Sequence, residues 1–492
     1  MLLGNTTLEA EIVGEAVGLR NPPAALLGLL GDVEDPALLD SSAFHPQYGR
    51  FSILACSPME VLTLRDGVLR DRAGDVLGAG SDEAIWSALG EALSAVRVSQ
   101  PATGGYVPGW IGYVGYEVGR HIERLPAAAV RDTRLPDLRL AFYDALLVYD
   151  SVEGRASLVE LRFARPPRGA GRAGAILRDV IRRAADIPRQ PPPEPAERAS
   201  AAVRPSIEDA RPNFTPSEYR RAVQRCIDYI AAGDIFQVNL SQRFEVETDL
   251  DPLRIYRTLR RRNPAWYACY LDFREAGARC AVLSSSPELF LRVRGRRVVT
   301  RPIKGTRPRV GRPEVDAAAK ADLLASAKDN AELAMIVDLL RNDLGRLCEY
   351  GTIRVTEPRA LETHPTVFHL VGTVEGVLRE GVGPAEMLKA TFPGGSITGA
   401  PKIRAMEIID ELEGLARCVY TGCIGIVGVD GSCEWNIAIR TILCDGGRVL
   451  LQVGGGIVAD SDPLDEYYET LHKARAMLEA IAEARSSQPV PP

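Results

Sequence analysis

Residues 215–244 open with Thr215-Pro216-Ser217-Glu218-Tyr219 and run through Gly233-Asp234-Ile235-Phe236-Gln237-Val238-Asn239-Leu240-Ser241 to Phe244. Thr215 with Glu218 three positions on is a capping-box pattern, and Pro216 takes the first helical position. Tyr219, Ala222, Val223, Cys226, Ile227 and Ile230 then recur at helical spacing, and Gly233 can end the helix. A strand is expected directly afterwards, over 236–244. Further strands are expected in runs, at 279–284, 289–293 and 297–300, and again at 419–427, 434–444 and 448–453. Helices are expected around 328–344, 403–413 and 463–482. Strands and helices therefore come in clusters rather than in strict alternation, which favours α+β over a doubly wound sheet.

Outward from this core, the composition shifts between about 188 and 212, where Pro191-Pro192-Pro193-Glu194-Pro195 reads as a semi-rigid or disordered linker. The expected parts are an N-terminal domain over 1–187, the linker over 188–212, a catalytic domain over 213–485 and a frayed tail over 486–492. The N-terminal part carries short β-like runs such as Phe51-Ser52-Ile53-Leu54 and Leu146-Leu147-Val148-Tyr149. No internal repeat is visible. With 46% hydrophobic and 25% charged residues in 492, the chain has the make-up of a globular protein with a large core. A net charge of -6 does not suit a nucleic-acid binder, which usually shows a basic face. Nine scattered cysteines without a CxxC pair suit reduced thiols and a cytoplasmic setting. No signal-like start and no apolar run of membrane-spanning length is present, so no membrane association is expected.

Several short stretches can carry chemistry. In Arg301-Pro302-Ile303-Lys304-Gly305-Thr306-Arg307-Pro308-Arg309 a lone lysine is framed by prolines and a Gly-Thr pair. Such a lysine is either part of a basic surface turn or a nucleophile kept partly neutral by burial. Asp329 with Glu332, and Glu466 with Glu469, share helix faces, and Lys473 follows Glu469 by four. These are either solvated faces with an ordinary ion pair or oxygen ligands for a hard cation such as Mg²⁺. Gly454-Gly455-Gly456 ends an apolar strand and can offer backbone N–H groups to an anion. A second glycine-rich loop spans Phe392 to Lys402 and includes Ser396. Arg440 can pair with a carboxylate. Glu288, after Ser284-Ser285-Ser286-Pro287, is a turn carboxylate or a general acid if burial raises its pKa. His369 reads as a core histidine or a catalyst.

Taken together, these runs resemble the chorismate-utilising family, which includes anthranilate, aminodeoxychorismate, isochorismate and salicylate synthases. The likeness is densest from Gly233 to Lys473, through Ser285-Ser286-Pro287-Glu288, Asp338-Leu339-Leu340-Arg341-Asn342-Asp343-Leu344 and Asp460-Ser461-Asp462-Pro463. Gly109-Trp110-Ile111-Gly112-Tyr113 and Leu38-Leu39-Asp40-Ser41 extend it into the N-terminal part. The resemblance implies a large α/β sandwich of antiparallel sheets in two subdomains, flanked by helices. It implies Mg²⁺ held by Glu332 and Glu469 with Glu466 and Asp329 in support. It places the two carboxylates of chorismate among Gly305, Thr306, Ser396, Tyr420, Arg440, Gly454, Gly455, Gly456 and Lys473.

Two positions sort the reactions within the family. Gln237 stands where the water-adding members carry a lysine base, and its amide can hold ammonia instead. This implies an aminating member. Lys304 stands where anthranilate synthases usually carry alanine, which implies the aminodeoxychorismate-forming reaction. In that reaction Lys304 attacks C2, Glu288 protonates the departing C4 hydroxyl, and His369 orients groups nearby. The alternatives are the anthranilate-forming reaction and a non-catalytic chorismate-binding regulator. No segment carries glutaminase machinery, so a separate glutamine amidotransferase subunit is the implied ammonia donor. Departures exist: Asp329 is shorter than the glutamate often found there, and Leu333 replaces a histidine of many relatives.

Overall fold

In the strand Ala278–Ser286, Cys280 and Val282 join one apolar cluster, while Ala281 and Leu283 join another. The strand is buried on both faces, which is why its sequence reads as a continuous apolar run rather than an alternating one. The cluster around Val282 also contains Ile111, Tyr113, Ile424 and Ile426 from a second sheet, so it is the interior of a sandwich. The cluster around Leu283 is closed from outside by Leu177, Leu259 and Met477, from the helices Arg172–Ala184, Pro252–Arg262 and Pro463–Ser486. The outer face of the second sheet is covered by Leu89, Val337 and Leu388, from the helices Asp82–Leu93, Ala327–Gly345 and Pro384–Thr391. The layers are thus helix, sheet, sheet, helix, as expected for an α+β sandwich.

This computed structural model describes residues 7–19, 21–99, 105–185, 187 and 210–486. Among the described residues one sheet has thirteen strands and the other twelve. Strand pairings are antiparallel except between Leu8–Val17 and Val96–Val98. Both sheets draw on both parts of the chain. Tyr267–Glu275 pairs with Ala37–Asp40 in the first sheet, and Cys423–Gly428 pairs with Gly109–Val114 in the second. Most of the expected linker, 188–209, and most of the expected tail, 487–492, lie outside the described residues. Arg211–Pro212 already pairs with the strand Gln237–Glu247.

The capping box forms: the Glu218 N–H donates to Thr215 Oγ1 at 3.3 Å, and the Thr215 N–H donates to Glu218 Oε2 at 2.8 Å. Three expectations need correction. The single strand expected over 434–444 is two strands, Cys433–Ile437 in the second sheet and Thr441–Asp445 in the first. The chain turns between them through Arg440, at φ +53. The strand expected from 419 begins at Cys423, because Cys418 and Thr421 take left-handed φ values of +55 and +59. Gly454 to Gly456 do not form a loop but continue the strand Arg448–Ile457, paired with Ser241, Leu240 and Asn239.

The chain also crosses between sheets at Pro287 and Glu288, from Ala278–Ser286 to Leu289–Arg294. The two crossings lie side by side. The Ile437 N–H donates to the Glu288 carbonyl, and the Ser285 N–H to the Arg440 carbonyl, each at 3.0 Å. Glu288 and Arg440 therefore stand together at the seam between the sheets.

Candidate active site

Lys304 owes its position to a bulge. The strand Ile303–Pro308 pairs with Val367–Val377, and the register slips between Lys304 and Thr306, where Gly305 has φ +74. Glycine takes this conformation without strain, and a bulge re-aims the neighbouring side chain. A side chain at 305 would also press on Leu323 and Asp329. The Lys304 side chain is 11% exposed, with Nζ 4.0 Å from Glu332 Oε2. Burial lowers its pKa below the usual lysine value, and nearby Lys473 adds to this. Glu332, Glu288 and Glu469 work against it. The neutral, nucleophilic fraction of the amine is raised accordingly.

Glu288 is buried at the sheet crossing, 4% exposed. Ser396 Oγ donates to its Oε1 at 2.6 Å. Burial pushes the carboxyl up to about 7, against the opposing pull of Ser396 and Lys304. Near neutrality it therefore retains a substantial protonated share, as a general acid requires. His369 lies on the facing strand, its Nδ1 2.9 Å from Thr306 Oγ1. Burial, with His364 and Arg440 close by, pushes His369 down to about 3. It is a neutral imidazole at working pH, suited to orient groups rather than to donate a proton as a cation.

The helices Ala327–Gly345 and Pro463–Ser486 bring the acidic residues to the same place. Glu332 and Glu466 both have raised pKa values, chiefly from burial, and each also feels the charge of Glu469. Glu469 is held low by Lys473, whose Nζ is 2.5 Å from Oε1. Ser461 Oγ donates to Glu466 at 2.7 Å. A Cβ at Gly455 would come within 2.9 Å of Glu466 Oε2, so glycine there leaves room for the carboxylates. Among the described residues no group of three or more His, Cys, Asp and Glu side chains converges closely enough to hold a metal ion. The donor set nevertheless fits a hard divalent cation, because it consists of oxygens whose mutual repulsion such a charge relieves. Asp329 faces elsewhere: its Oδ2 accepts from Arg307 Nη2 at 3.1 Å.

Arg440 is desolvated, which lowers its pKa, and donates through Nη1 to the Lys473 carbonyl at 3.2 Å. Tyr420 and Glu469 are its electrostatic neighbours. A half-buried guanidinium without a close carboxylate is well suited to receive one. Lys473 Nζ also reaches the Gly454 carbonyl, at 2.7 Å. The strand Thr441–Asp445 pairs with Arg448–Ile457 only as far as Leu451, leaving that edge of Gly454 to Gly456 outside the sheet ladder. The N–H groups foreseen for an anion are thus on a strand edge.

Gln237 is fully buried, and neither its amide nitrogen nor its amide oxygen has a hydrogen-bond partner. A Cβ at Gly456 would fall on the amide nitrogen. An unmatched buried amide is costly, and this one is free to bond a small polar molecule. Asn239, two residues on, donates to the Ser396 carbonyl at 3.1 Å and links this strand to the Glu288 side.

One pair was not legible in the sequence. Arg417 and Glu413 are buried together, with Arg417 Nε 2.8 Å from Glu413 Oε2. Arg417 donates to the carbonyls of Asn239 at 2.6 Å and Ile397 at 3.2 Å. Glu413 accepts from the Ser241 N–H at 2.8 Å. The pair fastens together the segments that carry Gln237 and Ser396. The i,i+4 spacing was visible, but such pairs are usually surface features.

Known proteins are similar to this chain over most of its length. A family model described as chorismate binding enzyme matches residues 50–479. The anthranilate synthase component 1 of Pseudomonas aeruginosa is 38% identical over 479 residues, covering 94% of each chain. The aminodeoxychorismate synthase component 1 of Bacillus subtilis is 35% identical over 435 residues, covering 88% of this chain and 89% of the relative. The solved anthranilate synthase component I of Streptococcus pneumoniae superposes with a TM-score of 0.72 at 30% identity, over 89% of this chain and 94% of that one. With the fold, the extent of the match and the identities in agreement, this chain belongs to the family of chorismate-binding enzymes.

Proposed function

We propose that this chain aminates chorismate, and that its product is 4-amino-4-deoxychorismate. The observation that carries the choice of product is Lys304, an almost buried amine between Glu288 and Glu332. The neutral Nζ attacks C2 of the ring, the double bonds shift, and the C4–O bond breaks. Glu288 gives its proton to the leaving hydroxyl, which departs as water. Ammonia beside the unmatched Gln237 amide then attacks C4, the double bonds shift back and the C2–N bond to Lys304 breaks. Glu288, now a carboxylate, takes the proton that the new C4 amine sheds. Arg440, Lys473 and the strand edge at Gly454 to Gly456 hold the substrate carboxylates, with Tyr420, Thr306 and Gly305 around them. Glu332 and Glu469, with Glu466 alongside, would hold Mg²⁺, which when bound drains charge from the ring. Asp329, turned to Arg307, is left out of this set.

A second reading has its own support. Relatives named anthranilate synthase reach 38% and 39% identity, against 35% for the aminodeoxychorismate synthase component 1 of Bacillus subtilis. By overall identity the anthranilate-forming reaction is therefore favoured over our expectation from Lys304. Whole-chain identity, however, averages over the shared fold, whereas a single group at C2 decides the product. A glutamine amidotransferase subunit is the proposed ammonia donor. The nine cysteines are free and buried, which suits a reducing cytoplasm. No helix among the described residues is long and apolar enough to cross a membrane.

The test is product analysis by mass spectrometry after incubation with chorismate, Mg²⁺ and ammonium. Aminodeoxychorismate without pyruvate supports the proposal. Anthranilate with stoichiometric pyruvate establishes the second reading instead.

A further inference from the structure

A small cavity of about 20 Å³, room for one water-sized molecule, lies between the turn Tyr116–His121 and the helix Lys402–Glu413. Tyr116, Glu117, Arg120, Asp410, Glu413 and Arg417 line it. Tyr116 is 8% exposed and Glu117 6% exposed. The Tyr116 hydroxyl and Glu117 Oε2 have no hydrogen-bond partner. Two polar oxygens this deep are expected to meet something in the cavity.

The charges show what that is. Arg120 is paired with Asp410 at 2.5 Å, and Arg417 with Glu413 at 2.5 Å. Glu117 Oε1 accepts only an uncharged donor, the Arg417 N–H, at 2.9 Å. Asp137 stands near Glu117 and is itself paired with Arg131. An ionised Glu117 therefore leaves one negative charge uncompensated. Burial pushes its carboxyl up to about 7, Asp137 adds to this, and the Arg120 guanidinium, itself paired with Asp410, works against it.

We propose that this cavity is a binding site for one monovalent cation, ammonium, held by Glu117 Oε2 and the Tyr116 hydroxyl. Two free oxygens suit the directed N–H donors of ammonium better than potassium, which is normally surrounded by many oxygens. Arg417 connects the cavity to the amination site, because the same guanidinium that lines it binds the Asn239 and Ile397 carbonyls. The choice of ammonium over potassium rests on the proposed amination of chorismate. The site itself rests on the cavity and its two unmatched oxygens.

Crystals of the full chain soaked in thallium acetate test the site without turnover. An anomalous peak between Tyr116 and Glu117, displaced by ammonium acetate at lower concentration than by potassium acetate, is expected. A peak missing in wild type, or displaced equally by both salts, overturns the assignment. Glu117→Gln should raise the KM for ammonium, read at saturating chorismate, about tenfold and leave the KM for chorismate, read at saturating ammonium, unchanged. Tyr116→Phe, which removes a single oxygen, should give a smaller rise and guards against misfolding of the first variant. An unchanged ammonium KM in both overturns the site's role. If the wild-type chain makes no product from ammonium, the proposed function falls, while the thallium result still decides the site.

Discussion

Replacing Glu288 with glutamine separates two consequences of burying a carboxyl group. The wild-type carboxyl is raised from its ordinary 4.5 to about 7, chiefly by burial. A carboxyl whose pKa is higher in the folded state binds its proton more tightly there than in the unfolded chain. Its neutral form is tolerated below pH 4.5, and stability is then lost as pH rises from 4.5 to about 7, with no further loss above. The loss at pH 8 amounts to about 3 kcal/mol. Glutamine has nearly the same shape, has no proton to lose, and keeps a carbonyl to accept from Ser396 Oγ. Glu288→Gln should therefore be more stable than wild type at pH 8, by up to about 3 kcal/mol, and the advantage should largely vanish at pH 5. Its turnover should fall by about 10²- to 10⁴-fold, because the leaving hydroxyl loses its acid. Denaturant titrations of both proteins at pH 5 and pH 8, without substrate, measure the difference. A variant less stable than wild type at pH 8, or an advantage that does not change with pH, refutes the reasoning.

Turnover should follow a bell in pH. One limb, near 7, is set by Glu288, which must be protonated, and the other by Lys304, which must be neutral and whose pKa burial lowers; a kcat/KM profile without a limb near 7 contradicts the acid role. Glu332→Gln or Glu469→Gln should raise the Mg²⁺ needed for half-maximal turnover by more than about tenfold while the fold is kept, read from Mg²⁺ titrations and circular dichroism. Wild-type behaviour at limiting Mg²⁺ would remove these residues from the metal site. Gln237→Lys should lose amination and gain slight water addition to chorismate, since a lysine can act as the base that an amide cannot. Unchanged amination in that variant would take Gln237 away from the ammonia.

The parts of this molecule that were readable in sequence are those set by neighbours in the chain. Thr215 and Glu218 mark their helix because a capping box closes within four residues, and Lys304 stands out because Pro302 and Gly305 flank it. What stayed hidden depends on partners far away. The pairing of Tyr267–Glu275 with Ala37–Asp40 joins residues more than two hundred apart, and no local pattern announces it. The crossing at Arg440 was concealed because both strands it joins are apolar, so the run reads as one strand until φ turns positive. Gly454 to Gly456 look like a loop by composition, yet the strand Gln237–Glu247 holds them in the sheet. The site's acidic and basic residues were legible as types and spacings. That Asp329 turns to Arg307, and that Arg417 and Glu413 tie the site together from behind, follows only from packing.

The central claim is that Lys304 becomes bonded to the substrate. Incubation with chorismate and Mg²⁺ in the absence of ammonia should let that adduct accumulate, since its displacement has no nucleophile. Acid quench and peptide mass spectrometry should then find the Lys304 peptide heavier by chorismate less one water, with the modification on Nζ. An unmodified Lys304 peptide, from a preparation that makes aminodeoxychorismate once ammonium is added, contradicts the account.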